Sequence, residues 1–353
     1  MVFTYYLYKY PYKLAWYLLK FLNKNSGVVA YCADPLDYIV LKPVLFNLPD
    51  IPVIAKNRRT VAYLQKQGIS CNRLPCFPRA VIMGRHAAHK FPEEKIVKIG
   101  FRHGAYYFKA FANAKYYNAF DLFFLTCQKE VEEAVKTGIE PARAIGFPKL
   151  DPVFNGSINE QVIKSVSNRA NLNPGKKTII FTATWDKSGM SAIHRWIDKV
   201  HNFTNAYNVL ITVHPWTSKK YLNRLKKTDG VFFIQDPDVL PYLVIADVLV
   251  GDTSSIIAEF CVMDKPIITF KVAETKRSVP EITQLLKEIS IQVESVNELQ
   301  NAIEYSFKNP GERSKERQKA SQMMFDQLDG QAGKRAADII KKEFPDLFNL
   351  YNW

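Results

Sequence analysis

Two histidines stand where predicted strands end. His103 follows the apolar run 96–101 and precedes Gly104, and His214 ends the run 209–214 just before Pro215. Ligands of open parallel sheets bind at the carboxyl ends of the strands, and a histidine titrates near neutral pH. We therefore predict His103 as a general base and His214 as a second site histidine, the two facing each other across a cleft between two domains. The alternative for each is a purely structural histidine.

Three consecutive hydroxyl residues follow another buried run. Asp252 leads into Thr253, Ser254 and Ser255, and a helical pattern begins directly after them. Hydroxyls and free backbone N–H groups at a helix N-terminus form a donor-rich pocket that suits a diphosphate. Glu259 lies on the same helix, on a face that could approach a ribose. The alternative is that one of the first three side chains only caps the helix.

Common phosphate-binding and metal-binding motifs are absent from the sequence. It contains neither the dinucleotide-binding glycine pattern nor the nucleotide-triphosphatase loop. His86 and His89 have a metal-ligand spacing, but the nearest acidic residues are Glu93 and Glu94, so we predict no metal site. The five cysteines are widely spaced and odd in number, which argues against a disulfide framework and favours a reducing cytoplasm.

The elements that must position these residues alternate between short apolar runs and helical patterns. This alternation is typical of strand–helix–strand units with a parallel sheet. The predicted strands form two series, 28–33, 51–55, 80–84, 96–101 and 121–126, then 178–184, 209–214, 231–235, 247–251, 266–270 and 290–293. We therefore predict an α/β protein with two doubly wound, Rossmann-like domains, and a C-terminal helix over 331–344 that packs back on the first domain.

The N-terminal segment is basic and aromatic. No acidic residue occurs among residues 1–33, and a helix beginning at Pro11, a favoured first position, would be amphipathic. One stripe of this helix would hold Lys13, Lys20 and Lys24. The opposite face would hold Leu14, Leu18 and Leu22. Such a helix suits a bilayer interface with anionic lipids. The alternative is a helix that docks on the first domain with its lysines in solvent.

Charge and composition narrow the classes of function. The 48 basic and 34 acidic residues give a net charge of +14. Residues 1–150 hold 22 basic and 10 acidic residues, or +12, so the basicity belongs to the first half. Such a field attracts polyanions, whether nucleic acid, anionic lipid or a phosphate-rich substrate. Apolar residues make up 47%, and no apolar run near the N-terminus approaches the ~20 residues of a spanning helix, so fibrous, disordered and membrane-spanning classes are excluded.

Seven short motifs together resemble the CDP-glycerol glycerophosphotransferase family. They are Arg102-His103-Gly104, Gly146-Phe147-Pro148-Lys149-Leu150-Asp151, Thr182-Ala183-Thr184-Trp185, His214-Pro215, Gly251-Asp252-Thr253-Ser254-Ser255, Lys265-Pro266-Ile267 and Asp329-Gly330-Gln331-Ala332. Their order and spacing, across about residues 95–340, carry the resemblance. It implies a glycosyltransferase-B-like fold and transfer of glycerol phosphate, or a related alditol phosphate, from a CDP-linked donor.

The resemblance also implies roles for residues. His103 matches the proposed base, which would deprotonate a hydroxyl of a lipid-linked or polymeric anionic acceptor, and His214 matches a histidine near the diphosphate. The donor would contact Asp252, Thr253, Ser254, Ser255 and Glu259, and acceptor or phosphate groups would contact Arg102, Lys109 and Arg277. CMP would leave as the donor's glycerol phosphate is transferred. CDP-glycerol is thus a substrate, with no cofactor and no nucleic-acid partner.

The predicted organisation has four parts and leaves alternatives open. They are an amphipathic segment at 1–25, an acceptor domain at 26–155, a nucleotide-donor domain at 156–330 and a C-terminal helix and tail at 331–353. We expect a cytoplasmic enzyme peripheral on the inner face of the membrane. One alternative is a glycosyltransferase or epimerase that uses a UDP-sugar on the same fold. Another is a non-catalytic protein that binds nucleic acid or membranes.

Overall fold

The computed structural model describes residues 2–106, 111, 113–275 and 278–348. The chain divides into two compact units. The first comprises Met1–His103, Phe111–Asp151 and Gln327–Trp353, and the second comprises Gly104–Ala110 and Pro152–Asp326. The chain therefore passes from the first unit to the second directly after His103.

Helices are distributed over the whole described chain. The α-helices, in chain order, are Val2–Phe21 (α1), Pro35–Leu45 (α2), Arg58–Lys66 (α3), Gln128–Lys136 (α4), Asp151–Phe154 (α5), Glu160–Arg169 (α6), Ile193–Trp196 (α7), Lys219–Leu225 (α8), Leu240–Ile245 (α9), Ile256–Cys261 (α10), Pro280–Ile289 (α11), Val296–Lys308 (α12), Ser314–Phe325 (α13) and Ala332–Glu343 (α14). Short 3₁₀ turns lie at Ala88–Lys90, Ala114–Tyr116, Pro148–Leu150, Asp186–Ser188, Val200–Phe203 and Pro345–Leu347.

Each unit is built on one parallel sheet. The first sheet holds Ser26–Cys32 (β1), Val53–Ala55 (β2), Cys71–Arg73 (β3), Pro78–Met83 (β4), Val97–Phe101 (β5), Leu122–Leu125 (β6) and Ala142–Ala144 (β7). The second holds Thr178–Ala183 (β8), Asn208–Val213 (β9), Val231–Phe233 (β10), Val248–Gly251 (β11), Ile267–Phe270 (β12) and Ile291–Val293 (β13). Their strand orders are β3-β2-β1-β4-β5-β6-β7 and β10-β9-β8-β11-β12-β13, so each order reverses at one switch point.

The predicted fold class is confirmed, and all eleven predicted strands are present. Central strands such as β8 and β11 are buried along their whole length, as expected where helices cover both faces of a parallel sheet. The prediction missed β3 and β7, which lie at the two edges of the first sheet. Each has only three residues, and Arg73 and Arg143 interrupt their apolar pattern.

The N-terminal helix differs from its prediction. It begins at Val2 rather than at Pro11, and Pro11 lies inside it. Tyr12 and Trp16 are 4% and 2% exposed in the core of the first unit, where the Trp16 indole donates to the carbonyl of Pro78 at 2.8 Å. Leu14, on another face, is 74% exposed. The helix therefore docks on the first unit and still presents an apolar face to solvent.

The C-terminal helix packs on the first unit, as predicted. The Asp151 carboxylate accepts the N–H groups of Ala332 and Gly333 at 3.0 and 2.7 Å, at the start of α14. Gly333 lies directly against Pro43 of α2, since an added Cβ would lie 2.5 Å from the Pro43 carbonyl carbon. Among the described residues, no helix is both long enough and apolar enough to cross a membrane.

Candidate active site

His103 lies at the carboxyl end of β5, beside a fixed arginine. The N–H of Arg102 continues the sheet by donating to the Phe124 carbonyl at 3.2 Å. Nη1 of Arg102 lies 2.7 Å from Oε1 of Glu130, which is fully buried. The His103 side chain is exposed. The structure thus presents a titratable ring at the strand end where the sequence predicted one.

His214 lies at the carboxyl end of β9 in the second unit. Its N–H donates to the Ala183 carbonyl at 3.1 Å, and its Nδ1 accepts the N–H of Trp216 at 3.1 Å. Because Nδ1 is an acceptor, the proton of the neutral ring belongs on Nε2. His214 can therefore donate a hydrogen bond through Nε2 to an anionic oxygen, which suits the predicted role near a diphosphate.

Asp252 fixes the loop that carries the three hydroxyls. The side chain is 1% exposed, and its carboxylate accepts the N–H groups of Thr184, Ala192 and Thr253 at 3.0, 3.0 and 2.6 Å. Burial raises the pKa of Asp252 to about 6, against the lowering effect of these N–H groups. This geometry gives Asp252 a positioning role, and its direct contact with a donor stays a prediction.

The three hydroxyl residues before α10 are partly exposed, and the side chain of the last one does not cap the helix. Thr253, Ser254 and Ser255 are half-buried, and Ser255 is the N-cap of α10 without a side-chain capping bond. The Thr253 hydroxyl donates to the carbonyl of Met190 at 3.3 Å. The helix is six residues long, so its dipole is short. Glu259 is 4% exposed within that helix, and its role near a ribose stays a prediction.

A cavity of 360 Å³ opens beside Asp252 and Thr253 in the second unit. Its walls are the loop after β12, including Lys271 and Glu274, together with α11 and Gln292 of β13. Ligand pockets span about 300–1,000 Å³, so this cavity has the size for a small ligand or one part of a nucleotide. Of the residues that line it, Asp252 and Thr253 were predicted, whereas the wall formed by Lys271, Glu274 and α11 was not.

Two tryptophans accompany His214. Trp185 follows β8 and Trp216 follows β9, and their rings meet edge to face with centroids 5.4 Å apart. Trp216 is 69% exposed, and its ring centroid lies 5.3 Å from that of His214. The turn below them is held by Asp186, which accepts the N–H of Ser218 at 2.7 Å. An aromatic surface thus adjoins the histidine.

Lys109 and Arg277 lie outside the described residues. The His86 ring stacks on Phe123 at 5.1 Å, and burial together with the Arg102 charge lowers its pKa to about 4. Within the described ranges, no group of three or more histidine, cysteine or acidic side chains is placed to hold a metal ion.

Comparison with models of known protein families identifies the family of this chain. Residues 126–342, more than half of the chain, match the model of the CDP-Glycerol:Poly(glycerophosphate) glycerophosphotransferase family. The chain belongs to this family. The matched range contains His214, the Thr253–Ser255 loop and the cavity, whereas His103 precedes it.

Two relatives of this chain are teichoic acid polymerases. The chain is 28% identical over 135 residues to the teichoic acid ribitol-phosphate polymerase TarK of Staphylococcus aureus. It is 23% identical over 133 residues to the teichoic acid poly(glycerol phosphate) polymerase of Bacillus spizizenii. Each alignment covers 35% of this chain, and they cover 26% and 34% of the two relatives. The chain therefore matches only a part of each polymerase.

Solved structures show the same fold. The wall teichoic acid polymerase TagF, as a variant soaked with CDPG, superposes with a TM-score of 0.72 at 14% identity, over 97% of this chain and 98% of that one. The Staphylococcus aureus MnaA–UDP structure superposes with a TM-score of 0.61 at 13% identity, over 91% and 97% of the two chains. These likenesses extend the fold assignment to the part of the chain before residue 126.

Proposed function

We propose that this protein transfers glycerol phosphate, or a related alditol phosphate, from a CDP-linked donor to a hydroxyl group of a polymeric or lipid-linked acceptor. The observation that carries the proposal is the cavity beside Thr253, because it lies in the part of the chain that matches the glycerophosphotransferase family. The donor would contact Thr253, Ser254 and Ser255 through its diphosphate and place its nucleoside in the cavity. Glu259 is proposed near the ribose.

The proposed reaction is a single displacement at phosphorus. His103 takes the proton of the acceptor hydroxyl, and the acceptor oxygen forms a new bond to the phosphorus that bears the glycerol. The bond between that phosphorus and the CMP oxygen breaks, so CMP leaves with the electron pair. His214 donates a hydrogen bond through Nε2 to the charge that develops on the leaving phosphate. The products are the extended acceptor and CMP, and no metal or cofactor is required by this proposal.

The family match favours a CDP-alditol over the UDP-sugar alternative. The likeness to MnaA is at 13% identity and concerns the fold. Between alditols the choice is open, because the relatives include both ribitol-phosphate and glycerol-phosphate polymerases. We therefore propose a CDP-linked donor, and the identity of its alditol is to be determined by measurement.

A ligand panel tests the donor without knowledge of the acceptor. Thermal unfolding is followed with CDP-glycerol, CDP-ribitol, CMP, UDP and UDP-N-acetylglucosamine. A ligand at about 100 times its dissociation constant stabilises the native state by ~2.7 kcal/mol, which is readily measured. We expect stabilisation by the cytidine nucleotides and little by the uridine nucleotides. A preference for the uridine ligands would replace the proposal with the glycosyltransferase alternative.

We further propose that the protein works on the cytoplasmic face of a membrane, with α1 lying in the bilayer interface. The support is the exposed face of α1, where Leu7, Leu14 and Phe21 are 61%, 74% and 84% exposed. Lys20 borders this face, with its ammonium 5.4 Å from the centre of the Trp16 ring, whereas Lys13 is ion-paired with Glu94 at 3.1 Å. Exposed apolar side chains beside a lysine suit a bilayer that contains anionic lipids.

Substitutions in the exposed face test membrane binding better than deletion of α1, which would remove Trp16 from the core. The double variant Leu14→Glu/Phe21→Glu is compared with Val135→Glu, which places a charge at an apolar side chain on α4 that is 59% exposed. Co-sedimentation is measured with vesicles of phosphatidylglycerol and phosphatidylcholine. We expect binding to be lost in the double variant and retained in the control. Equal binding by all three proteins would refute the membrane proposal.

A further inference from the structure

The first unit repeats one dipeptide at the ends of two neighbouring strands. Arg85-His86 follows β4, and Arg102-His103 follows β5. The parallel register pairs Met83 with Gly100, and each arginine lies two residues beyond that pair. The two guanidinium-bearing residues therefore occupy corresponding positions at the carboxyl edge of the sheet, where parallel sheets bind ligands.

A buried carboxylate holds Arg85 from one side. Asp37 lies in the first turn of α2, which follows β1, and is fully buried. One of its oxygens accepts the N–H groups of Ala33 and Asp34 at 2.7 and 3.1 Å. The other accepts Nε of Arg85 at 2.6 Å. The loop thus fixes the carboxylate, and the carboxylate fixes the arginine.

Glu130 holds Arg102 from the opposite side through an ion pair. It lies in the first turn of α4, which follows β6, and is also fully buried. Its Oε2 accepts the N–H and the hydroxyl of Thr126 at 2.9 and 3.0 Å, and its Oε1 pairs with Nη1 of Arg102. Since the strand order is β1-β4-β5-β6, the two carboxylates lie outside and the two arginines inside.

Each ion pair leaves donors of the guanidinium for another partner. An arginine has five N–H donors, and the pairs use Nε of Arg85 and Nη1 of Arg102. The two side chains are 32% and 18% exposed, so they reach solvent although they are fixed. The neighbouring His86 adds no charge near neutral pH, because burial and the Arg102 charge lower its pKa to about 4.

We infer that Arg85 and Arg102 form a binding site for a phosphate group of the acceptor chain, with Asp37 and Glu130 as positioning residues. Two preorganised guanidinium groups match the oxygens of a phosphodiester, because the planar fork of arginine donors fits phosphate geometry. The excess of 22 basic over 10 acidic residues in the first 150 positions agrees with a polyanionic ligand. This inference rests on the proposed function and goes beyond it, because it adds three residues and an acceptor chemistry.

The test measures binding separately from turnover. A synthetic oligo(glycerol phosphate) is titrated into the full-length protein by calorimetry, and CMP release from CDP-glycerol is measured with the same oligomer. The variants are Arg85→Met, Arg102→Met and the doubles Asp37→Asn/Arg85→Met and Glu130→Gln/Arg102→Met. The doubles avoid a buried unpaired carboxylate, so they keep the test valid where a single variant fails to fold. The control is Arg143→Met, whose side chain is 50% exposed on β7.

We expect each arginine variant to bind the oligomer about 10- to 100-fold more weakly, and the control to bind it normally. Affinity for CDP should be unchanged in every variant. Glu130→Gln alone should weaken oligomer binding, and it should have no further effect once Arg102 is methionine. Folded double variants with wild-type affinity for the oligomer would overturn the site. So would loss of CDP binding instead, because that would assign the arginines to the donor. If the wild type binds the oligomer but releases no CMP, the proposed reaction fails while this site stands.

Discussion

His103 and its neighbour Arg102 have different settings although they are adjacent in the chain. The Arg102 side chain is fixed by Glu130 and is 18% exposed, whereas the His103 side chain is exposed. An exposed ring can exchange protons with solvent after each turnover, as a general base must. A partly buried, paired guanidinium is suited to binding an anion. In our proposal, therefore, His103 transfers the proton and Arg102 binds the acceptor.

His103→Ala tests the proposed base. We expect turnover to fall about 10²- to 10⁴-fold, because this is the usual contribution of a positioned general base. Affinity for CDP should not change, since the base acts on the acceptor. CMP release and thermal shift with CDP measure the two effects, and His201→Ala, at an exposed histidine of the second unit, is the control. Loss of CDP binding in His103→Ala would instead place His103 at the diphosphate.

At the scale of elements, α1 docks on the first unit and also exposes an apolar face, two features that the sequence presented as alternatives. The pattern of lysines and leucines predicted either a membrane helix or a docked helix. In the structure the helix docks through Tyr12 and Trp16, and the leucines remain exposed. The lysine and leucine positions alone could not predict this, because the docking surface is supplied by the distant carbonyls of Cys76 and Pro78.

Trp16→Ala tests the docking of α1. The side chain is 2% exposed and its indole N–H donates to Pro78, so truncation removes both packing and a hydrogen bond. We expect a loss of about 3–5 kcal/mol in the free energy of unfolding. Leu14→Ala, two residues away and 74% exposed, should change it by less than about 0.5 kcal/mol. Urea unfolding measures both variants, and similar losses would show that α1 docks through another face.

The strands and the site differ in how far the sequence predicted them. Apolar runs predicted eleven strands, because a buried parallel strand is apolar on both faces. The strand-end positions of His103 and His214 followed from the same runs. The Arg102–Glu130 and Arg85–Asp37 pairs could not be predicted, since each joins residues 28 or 48 positions apart through the strand order. The repeated Arg-His dipeptide was the available signal, and it has meaning only once the register of β4 and β5 is known.

For the molecule as a whole, the end of the chain completes the first unit. Residues 327–353 return to it after the entire second unit, and α14 packs on α2. Gly333 permits this contact, because any side chain there would meet the backbone of Pro43. The first unit therefore depends on residues that are almost 300 positions apart, and a chain without α14 would expose the face of α2 that α14 covers.

Gly333→Ala tests the close packing of α14 on α2. An added Cβ would lie 2.5 Å from the carbonyl carbon of Pro43, so the two helices must separate. We expect a loss of about 1–3 kcal/mol in unfolding free energy, although alanine has the higher helix propensity. Gly311→Ala is the matched control, because nothing lies within 4 Å of its added Cβ. Equal thermal unfolding of the two variants would mean that α14 does not need the close contact.

Asp151, which accepts the first N–H groups of α14, makes the stability of this contact depend on pH. The side chain is 5% exposed, and burial raises its pKa to about 6, whereas an aspartate in an unfolded chain titrates near ~3.9. The native state therefore holds this proton to higher pH than the unfolded state does. The stability that results is fully present below about pH 4 and is lost as pH rises through about 6.

Asp151→Asn does not titrate, so the wild type should lose up to ~3 kcal/mol relative to this variant between about pH 4 and pH 7. Urea unfolding of both proteins at the two pH values measures the difference, and a constant offset would show that Asp151 titrates alike in the folded and unfolded chains.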